Sequence, residues 1–255
     1  MPNDPIDRRR LLGGFVLGTS GFLLAGCDKL NASPGFRDLL KNAEPLHLRA
    51  QRFVGGRPAM AREYAASEMS PIFRVNGSSG PSSAAYQALA GAAFANWRLV
   101  VDGLVARPLS LSLAQLGALP QRAQITRHDC VEGWSAIGKW QGPQLGTLLR
   151  AAGLSTRANY LVFHCADDSG GVPYYESIDL DDGFHPQTIL ATHMNDRRLS
   201  VPHGAPIRLR VERQLGYKHA KFVMRIEARE TLAGVGQGKG GYWEDRADYA
   251  WYAGI

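Results

Sequence analysis

The most unusual stretch of the sequence is His128-Asp129-Cys130-Val131-Glu132-Gly133-Trp134-Ser135, in which a cysteine precedes a Gly-Trp turn. The run from Ile125 to Cys130 predicts a strand, so its thiol would be held by rigid structure and still face a cavity. Arg127, His128 and Lys139 lie near the cysteine in sequence and favour the thiolate, the form that binds metals. The stretch therefore predicts either a metal-ligating thiolate or a buried structural or disulfide cysteine.

A second cysteine, Cys165, keeps two other interpretations open. In an oxidising compartment two cysteines commonly form a disulfide, and a Cys130–Cys165 bridge would suit a non-enzymatic binding protein. Zinc is the other alternative, because His128 and His164 would complete a two-His, two-Cys ligand set. The pair His164-Cys165 is awkward for such a site, since neighbouring strand residues point to opposite faces of a sheet.

The elements that must position these residues are a mixture of helices and strands. Trp97 to Gly103 alternates and predicts a strand, while Ser112 and Gln115 form a capping box for a short helix that ends before Pro120. Because no regular βαβ rhythm is present, the predicted fold class is α+β with a largely mixed sheet. The other predicted elements are helices at Phe36 to Asn42 and Gln144 to Ala152, strands at Tyr160 to His164, Tyr174 to Ile178, Ile189 to Met194, Ile207 to Val211 and Phe222 to Glu227, and a polar loop at Ala166 to Val172.

The N-terminal residues are typical of an export signal. Arg8-Arg9-Arg10 precede an apolar run from Leu11 to Ala25, which is shorter than the roughly 20 residues of a membrane-spanning helix. Paired arginines before a weakly hydrophobic run favour the twin-arginine export machinery, with an ordinary secretory signal as the alternative. Leu24-Ala25-Gly26-Cys27 matches the bacterial lipobox, so a lipidated Cys27 would anchor the protein, with Asp28 favouring the inner membrane.

These observations predict three regions: a signal at residues 1–26, a lipid-anchored tether and extension at residues 27–69, and one large domain at residues 70–255. The formal net charge of the chain is +6 at pH 7. We find neither a basic low-complexity tail nor an aromatic-basic repeat, so the sequence does not indicate a nucleic-acid partner. The basic balance instead fits an anionic ligand.

Several ordered blocks resemble the sulfite oxidase-type molybdopterin-binding domain, over roughly residues 70 to 250. The resemblance implies an α+β fold with a mixed β-sheet and surrounding helices. It also implies a Mo-molybdopterin cofactor with one pterin and no attached nucleotide, in which Cys130 is the catalytic residue and the protein's ligand to the metal. The blocks are Trp97-Arg-Leu-Val-Val-Asp-Gly, Leu111-Ser-Leu, Cys130-Val-Glu-Gly-Trp-Ser, Trp140-Gln-Gly, Leu148-Leu149, Val162, Leu190-Ala191, Asn195, Leu199, His203-Gly-Ala-Pro-Ile-Arg-Leu and Gly216-Tyr-Lys-His-Ala-Lys-Phe.

The same resemblance assigns further residues to the cofactor. His203 and Arg208 would reach its polar end, and Lys218 and Lys221 would flank its phosphate or pterin rim, where fixed cations are needed. Asn76 resembles the family's early cofactor-contacting asparagine, and Cys165, on the strand that approaches the metal in related reductases, either lines the pocket or packs. Additional pocket candidates are His164, Asp167, Asp168, Tyr174 and Tyr175.

Departures from the family pattern bear on the substrate. Sulfite-oxidising members present arginines after the metal cysteine, whereas Cys130 is followed by Val-Glu-Gly-Trp-Ser, and Val75 and Gly77 flank Asn76. This form is closer to the periplasmic reductase branch that includes the protein-methionine-sulfoxide reductase catalytic subunit, although Cys165 replaces the threonine expected there. The resemblance implies two-electron oxygen-atom transfer on a small molecule or an oxidised side chain such as a sulfoxide. A sulfite dehydrogenase-like enzyme is the alternative.

An electron carrier must be a separate protein under this interpretation. The sequence contains no Cys-x-x-Cys-His haem attachment motif, no dinucleotide-binding glycine motif and no set of cysteines for an iron–sulfur cluster. Electrons would therefore pass to or from a membrane haem protein or a soluble cytochrome. Location on the periplasmic face of the inner membrane would suit that exchange, and twin-arginine export carries proteins that already hold their cofactor.

Overall fold

A computed structural model describes Leu30, residues 32–56 and residues 58–255. The predicted export signal and Cys27 lie outside the described residues. The chain divides into two compact units, one that ends at Val54 and one from Gly55 to Ile255. The first contains helix α1 (Pro34–Gly55, whose last residue belongs to the second unit), so the helix predicted at Phe36 to Asn42 exists and is longer. Across the described residues, no helix combines the length and apolar character that crossing a membrane requires.

The second unit contains eleven strands and five α-helices among its described residues. The helices are α2 (Ala84–Gly91), α3 (Leu113–Ala118), α4 (Leu145–Ala152), α5 (Leu180–Gly183) and α6 (Tyr242–Ala247). The strands are β1 (Arg98–Gly103), β2 (Leu109–Ser112), β3 (Gln121–Cys130), β4 (Trp134–Pro143), β5 (Tyr160–Ser169), β6 (Val172–Asp179), β7 (Ile189–Ala191), β8 (His193–Met194), β9 (Arg197–Arg198), β10 (Arg208–Arg210) and β11 (Val223–Arg229).

The largest sheet has five strands in the order β2-β1-β11-β5-β6. Strand β1 pairs with β11 in parallel, whereas the other neighbours pair in antiparallel fashion. A four-stranded sheet, β3-β4-β8-β9, and the pair β10-β7 complete the unit. This mixed sheet with surrounding helices confirms the predicted α+β class.

The main core lies where α4 packs with the five-stranded sheet. Helix α4 buries Leu145, Leu148 and Leu149, which join a cluster that includes Trp97 and Phe163. Each such side chain stabilises the fold by about 1.5–3 kcal/mol through the removal of apolar surface from water. A second cluster surrounds Trp140 and includes Ile189 and Met194. These two clusters hold β4 through Trp140 and β10 through Leu209, and β3 is held in turn by its pairing with β4.

Local signals in the sequence correctly predicted the ends of two helices. Ser112 accepts a hydrogen bond from the backbone N–H of Gln115, whose side chain in turn accepts one from the Ser112 backbone, as the capping box predicts. Helix α4 ends at Gly153, which has φ of 67° and terminates the helix in the left-handed conformation. The start of α3 and the end of α4 therefore lie where the capping residues predict.

The loop predicted at Ala166 to Val172 was wrong. Strand β5 continues to Ser169, and Gly170 and Gly171, both at positive φ, connect it to β6 in a tight hairpin. The register of the pair shifts between His164 and Asp168, so the strand is irregular there. Polar residues such as Asp167 resemble a loop in sequence, but here they lie on a paired strand that borders a cavity.

Candidate active site

Cys130 is the last residue of β3, at the tip of the β3–β4 hairpin. Strands β3 and β4 pair continuously from Gln121–Pro143 to Cys130–Trp134, so ten residue pairs hold the cysteine in place. The hairpin turns through Gly133, whose φ of 85° favours glycine. The thiol is partly buried, and burial raises its pKa above the ordinary value. The predicted combination of a rigid support and an accessible thiol is present.

A cavity of about 410 Å³ opens beside Cys130. Its walls come from five separate parts of the chain: the loop at residues 76–78, the tip of the β3–β4 hairpin, the β5–β6 hairpin, residues 216–221 and the C-terminal region. The lining residues are Asn76, Gly77, Ser78, Cys130, Val131, Glu132, Asp167, Asp168, Ser169, Tyr174, Gly216, Tyr217, His219, Lys221, Tyr242, Trp243 and Tyr249.

Arg208 is fully buried on β10 and contacts the cavity-lining residue Asn76, although it does not line the cavity itself. Its Nη2 donates to Oδ1 of Asn76 over 3.0 Å, and its guanidinium lies 5.4 Å from the ring centre of Trp140. Its Nε and Nη1 have no hydrogen-bond partner. Burial, together with the nearby charge of Arg210, lowers the pKa of Arg208 to about 9. Since buried donors are normally satisfied, the two unpaired nitrogens indicate that an acceptor belongs here.

Lys221 and His203 contact the same N-terminal segment as Arg208. Lys221 donates to the carbonyl oxygens of Asn76 at 2.7 Å and Pro202 at 3.0 Å, and also to that of Ser78. Burial and the charge of Arg208 lower the pKa of Lys221 to about 7. A ring nitrogen of His203, Nε2, lies 3.3 Å from the carbonyl oxygen of Phe73. Segment 73–78 thus brings together Asn76 and three of the predicted cofactor residues.

Lys218 has a different position from the one expected. It is fully buried between Glu176 and Glu244, and its Nζ donates to both carboxylates, over 2.7 Å for Glu244. Burial lowers the pKa of Lys218, but the two carboxylates outweigh burial and raise it overall. Lys218 does not line the cavity, because its charge is used to attach α6 to β6. The structure therefore gives no support for direct contact with the cofactor phosphate.

Cys165 also lies away from the lining of the cavity. It sits on β5 with its Sγ 3.9 Å from the carbonyl oxygen of Phe163, and burial raises its pKa well above the ordinary value. Both Cys130 and Cys165 are free thiols, so the disulfide alternative is absent from the structure. In the described part of the chain, no three His, Cys, Asp or Glu side chains are grouped to hold a metal, which leaves the zinc alternative without a ligand set.

His128 is a site residue to which the resemblance assigned no role in cofactor binding. It is almost fully buried, and Arg210 donates to its Nδ1 over 3.0 Å, so the neutral ring carries its proton on Nε2. Burial and the charges of Arg208 and Arg210 lower its pKa well below the ordinary value. Its Nε2 has no partner and lies against Gly216, which lines the cavity. His128 therefore presents a further buried donor near Cys130.

An aromatic wall formed by Tyr217, Tyr242, Trp243 and Tyr249 also escaped prediction from the sequence. Trp243 stacks on Tyr249 with ring centres 5.9 Å apart, and Tyr217 meets Tyr249 edge-on at 5.0 Å. Tyr242, Trp243 and Tyr249 lie in the C-terminal stretch that follows Gly241, and their spacing gives no indication that they face Cys130. The pocket candidates Asp167, Asp168 and Tyr174 do line the cavity. By contrast, His164 contacts Glu227, and Tyr175 donates to Asp245.

The thiol of Cys130 and the unpaired N–H donors near it fit an anionic cofactor that combines a soft metal with polar groups. Cys130 offers a thiolate ligand, and the buried nitrogens of Arg208 and His128 offer hydrogen bonds that no protein atom accepts. The indole Nε1 of Trp140 is a further buried donor without a partner. Soft metals prefer sulfur ligands, and guanidinium groups suit phosphate oxygens.

A family model described as the oxidoreductase molybdopterin binding domain matches residues 87–233. A protein of Azospira oryzae described as a candidate protein-methionine-sulfoxide reductase subunit, YedZ1, is 44% identical over 160 residues, which are 63% of this chain and 56% of that protein. The protein-methionine-sulfoxide reductase catalytic subunit MsrP of Campylobacter jejuni is 30% identical over 175 residues, 63% of this chain and 57% of that protein. The MsrP of Xanthomonas campestris is 30% identical over 239 residues, 89% of this chain and 71% of that protein.

Among solved structures, the sulfane dehydrogenase SoxCD from Paracoccus pantotrophus has the same fold, with a TM-score of 0.52 and 22% identity. The match covers 60% of this chain and 41% of that chain. The chain thus spans little more than half the length of two of the curated relatives that it matches. The family model nevertheless covers more than half of the chain and contains Cys130, Arg208 and Lys221. The chain therefore belongs to the sulfite oxidase family of molybdopterin-binding oxidoreductases, and it is an enzyme.

Proposed function

We propose that this enzyme binds one molybdenum-pterin without an attached nucleotide, with Cys130 as the protein ligand to the metal, and reduces sulfoxides. The observation that carries the proposal is the position of Cys130, at a rigid strand end that opens on a cavity beside unpaired buried donors. The relatives named as protein-methionine-sulfoxide reductases support this choice of substrate class. Methionine sulfoxide, free or within a polypeptide, is the substrate we expect.

The chain's own residues would divide the work of holding the cofactor. Arg208 would supply its two free nitrogens to an anionic or carbonyl oxygen, since they have no other acceptor. His203 and Lys221 would orient segment 73–78, because their donors already contact its carbonyl oxygens. Asn76 would be held against the cofactor by Arg208. Lys218 and Cys165 would stabilise the structure around the cavity and would not contact the cofactor.

The reaction requires two electrons and two protons for each sulfoxide, and it yields one thioether and one water. The bound cofactor supplies the two-electron redox chemistry, whereas the protein excludes competing reactions and sets orientation. Aromatic residues line part of the cavity that contains Cys130. The substrate would enter between the β5–β6 hairpin and the C-terminal aromatic wall, which border the same cavity.

The electron carrier would be a separate protein, because the sequence has no haem-attachment motif and no set of cysteines for an iron–sulfur cluster. A membrane haem protein or a soluble cytochrome fits this requirement. Twin-arginine export and a lipidated Cys27 would place the enzyme on the periplasmic side of the inner membrane, close to such a carrier. These proposals rest on residues of the N-terminal sequence.

The test is to express the full chain in a molybdenum-replete bacterium and to measure bound metal and released pterin by mass spectrometry. We expect about one molybdenum and one nucleotide-free pterin per chain, and reduction of methionine sulfoxide by a reduced viologen dye. Cys130→Ser should abolish both activity and stable metal binding, whereas Cys165→Ser should retain the metal because Cys165 does not line the cavity. Stoichiometric zinc, or no metal in the wild-type chain, would reject the proposal.

A further inference from the structure

The charged side chains around the cavity are mainly acidic. Glu132, Asp167 and Asp168 all line it, and Asp168 is exposed on the β5–β6 hairpin. Of the described residues that line the cavity, Lys221 is the one Lys or Arg. Each of the three protons on its Nζ can reach a backbone carbonyl oxygen, those of Asn76, Ser78 and Pro202. Lys221 therefore has no donor to spare for an anionic substrate.

Asp167 and Asp168 have carboxylate oxygens that are free to bind a positively charged group. Oδ1 of Asp167 is buried and has no hydrogen-bond partner, while its Oδ2 accepts a hydrogen bond from Ser78 over 3.1 Å. Asp168 accepts a hydrogen bond from the backbone N–H of Gly171 over 3.3 Å and is otherwise open to solvent. Once the cofactor has taken the free nitrogens of Arg208, an anionic substrate that enters this cavity would approach carboxylates without gaining a free cation. Coulomb repulsion at short range then disfavours it.

The opposite wall of the cavity offers aromatic faces. The hydroxyls of Tyr174, Tyr217 and Tyr242 donate to the backbone oxygens of Tyr217, Ala250 and Ser169, so their protons are already engaged. Trp243 is 37% exposed at the cavity. The guanidinium of Arg246 lies 5.2 Å from the ring centre of Tyr242, so a face of this wall already receives a cation. Aromatic faces attract cations and apolar groups and repel anions.

We propose that this cavity selects neutral and cationic organic sulfoxides and rejects anionic ones. The acidic side, with Asp167 and Asp168, and the aromatic wall, with Tyr242, Trp243 and Tyr249, would hold the non-reacting part of the substrate. This inference rests on the proposed sulfoxide reduction and specifies the charge of its substrates. It predicts that a methionine sulfoxide residue is accepted within a neutral or basic peptide and is disfavoured next to a carboxylate.

The experiment compares three substrates that differ in charge but share the reacting group. They are N-acetyl-methionine sulfoxide, its neutral amide, and the same amide carrying a quaternary ammonium ethyl group. With the cofactor-loaded enzyme and a reduced viologen dye, we expect kcat/KM to be about fivefold or more higher for the neutral amide than for the acid, and highest for the cation. The difference should shrink as the salt concentration rises, because salt screens charges at an open cavity.

Substitutions of Asp168 test whether the cavity causes this charge selectivity. Asp168→Asn should reduce the ratio of kcat/KM between cation and anion about threefold, and Asp168→Lys should reverse the order. Glu230→Gln is the matched control, since Glu230 follows the end of β11 that pairs with Tyr160, at the other end of β5 from Asp168. Glu230→Gln also removes one negative charge and should leave the ratio of kcat/KM between cation and anion unchanged. Equal kcat/KM for the acid and the amide, or no effect of either Asp168 variant, would overturn the inference.

A binding measurement separates this inference from the proposed reaction. The thioether forms of the three compounds cannot be reduced, and their binding to the loaded enzyme can be followed by quenching of tryptophan fluorescence. If they bind in the order cation, amide, acid but none of the sulfoxides is reduced, the proposed reaction fails and the charge selectivity stands. If all three sulfoxides are reduced equally well and the thioethers bind equally, the selectivity fails and the reaction stands.

Discussion

Arg208 illustrates how a single residue links the stability of this fold to its ligand. Its charge is fully buried, and Asn76 accepts one hydrogen bond from its Nη2. Its Nε and Nη1 donate no hydrogen bond to any protein atom. Arg210, two residues along the same strand, is equally buried but forms a bidentate ion pair with Glu212. The two arginines therefore differ in whether the protein itself satisfies them.

We predict opposite stability effects for these two arginines in the cofactor-free protein. Arg208→Met should leave the free energy of unfolding unchanged or raise it by on the order of 1 kcal/mol, because it removes an incompletely paired buried charge. Arg210→Met should lower it by about 3–5 kcal/mol, because it leaves Glu212 buried and unpaired. Urea unfolding followed by circular dichroism measures both. In the loaded enzyme, Arg208→Met should release molybdenum, and full retention would contradict the assigned role.

At the scale of elements, a buried ion cluster attaches α6 to β6. Lys218 joins Glu176 on β6 to Glu244 on α6, and α6 also contributes Tyr242 and Trp243 to the aromatic wall. The helix has only six residues, too few to be stable alone, so its position must come from tertiary contacts. Removing the lysine would leave two carboxylates facing each other without a cation.

Lys218→Met should therefore destabilise the protein by about 3–5 kcal/mol and disturb the cavity. The triple variant Lys218→Met, Glu176→Gln, Glu244→Gln should recover most of that loss, since no buried charge is left unpaired. Chemical unfolding gives the stability, and tryptophan fluorescence reports on Trp243 at the aromatic wall. An unaltered free energy of unfolding in the single variant would show that the cluster does not hold α6.

The same elements show what the sequence can and cannot predict. The strand that carries Cys130 and the helix closed by Gly153 follow from local patterns, because alternation and capping are local properties. The β5–β6 hairpin was missed because Asp167 and Asp168 are polar, although they lie on a paired strand. The partners of Lys218 lie 42 and 26 residues away in sequence, so no local pattern indicates them.

At the scale of the whole molecule, buried neutral histidines should make the fold sensitive to acid. His219 is buried, and burial with the charges of Arg210 and Arg208 holds its pKa well below the ordinary value. The unfolded chain therefore binds a proton near pH 6.5 that the folded chain does not bind. Stability is fully retained above that pH and falls as the pH drops below it.

We predict that the free energy of unfolding falls by up to about 1.4 kcal/mol per pH unit for each such histidine between pH 6.5 and its lowered pKa. His219→Gln should remove one proton from this dependence and make the slope shallower. Urea unfolding of the cofactor-free protein at pH 7.5, 6.5 and 5.5 provides the measurement. A slope in the variant equal to that of the wild type would show that His219 is not responsible.

X-ray absorption at the molybdenum edge of the loaded enzyme tests directly whether Cys130 is the protein ligand to the metal. A single pterin contributes two sulfur ligands, so a third at molybdenum–sulfur bonding distance is expected from Cys130 in the wild type. Any metal that Cys130→Ser retains should show two sulfur ligands, whereas Cys165→Ser should still show three. A sulfur count that does not change in Cys130→Ser would contradict the account, because another residue would then be the ligand.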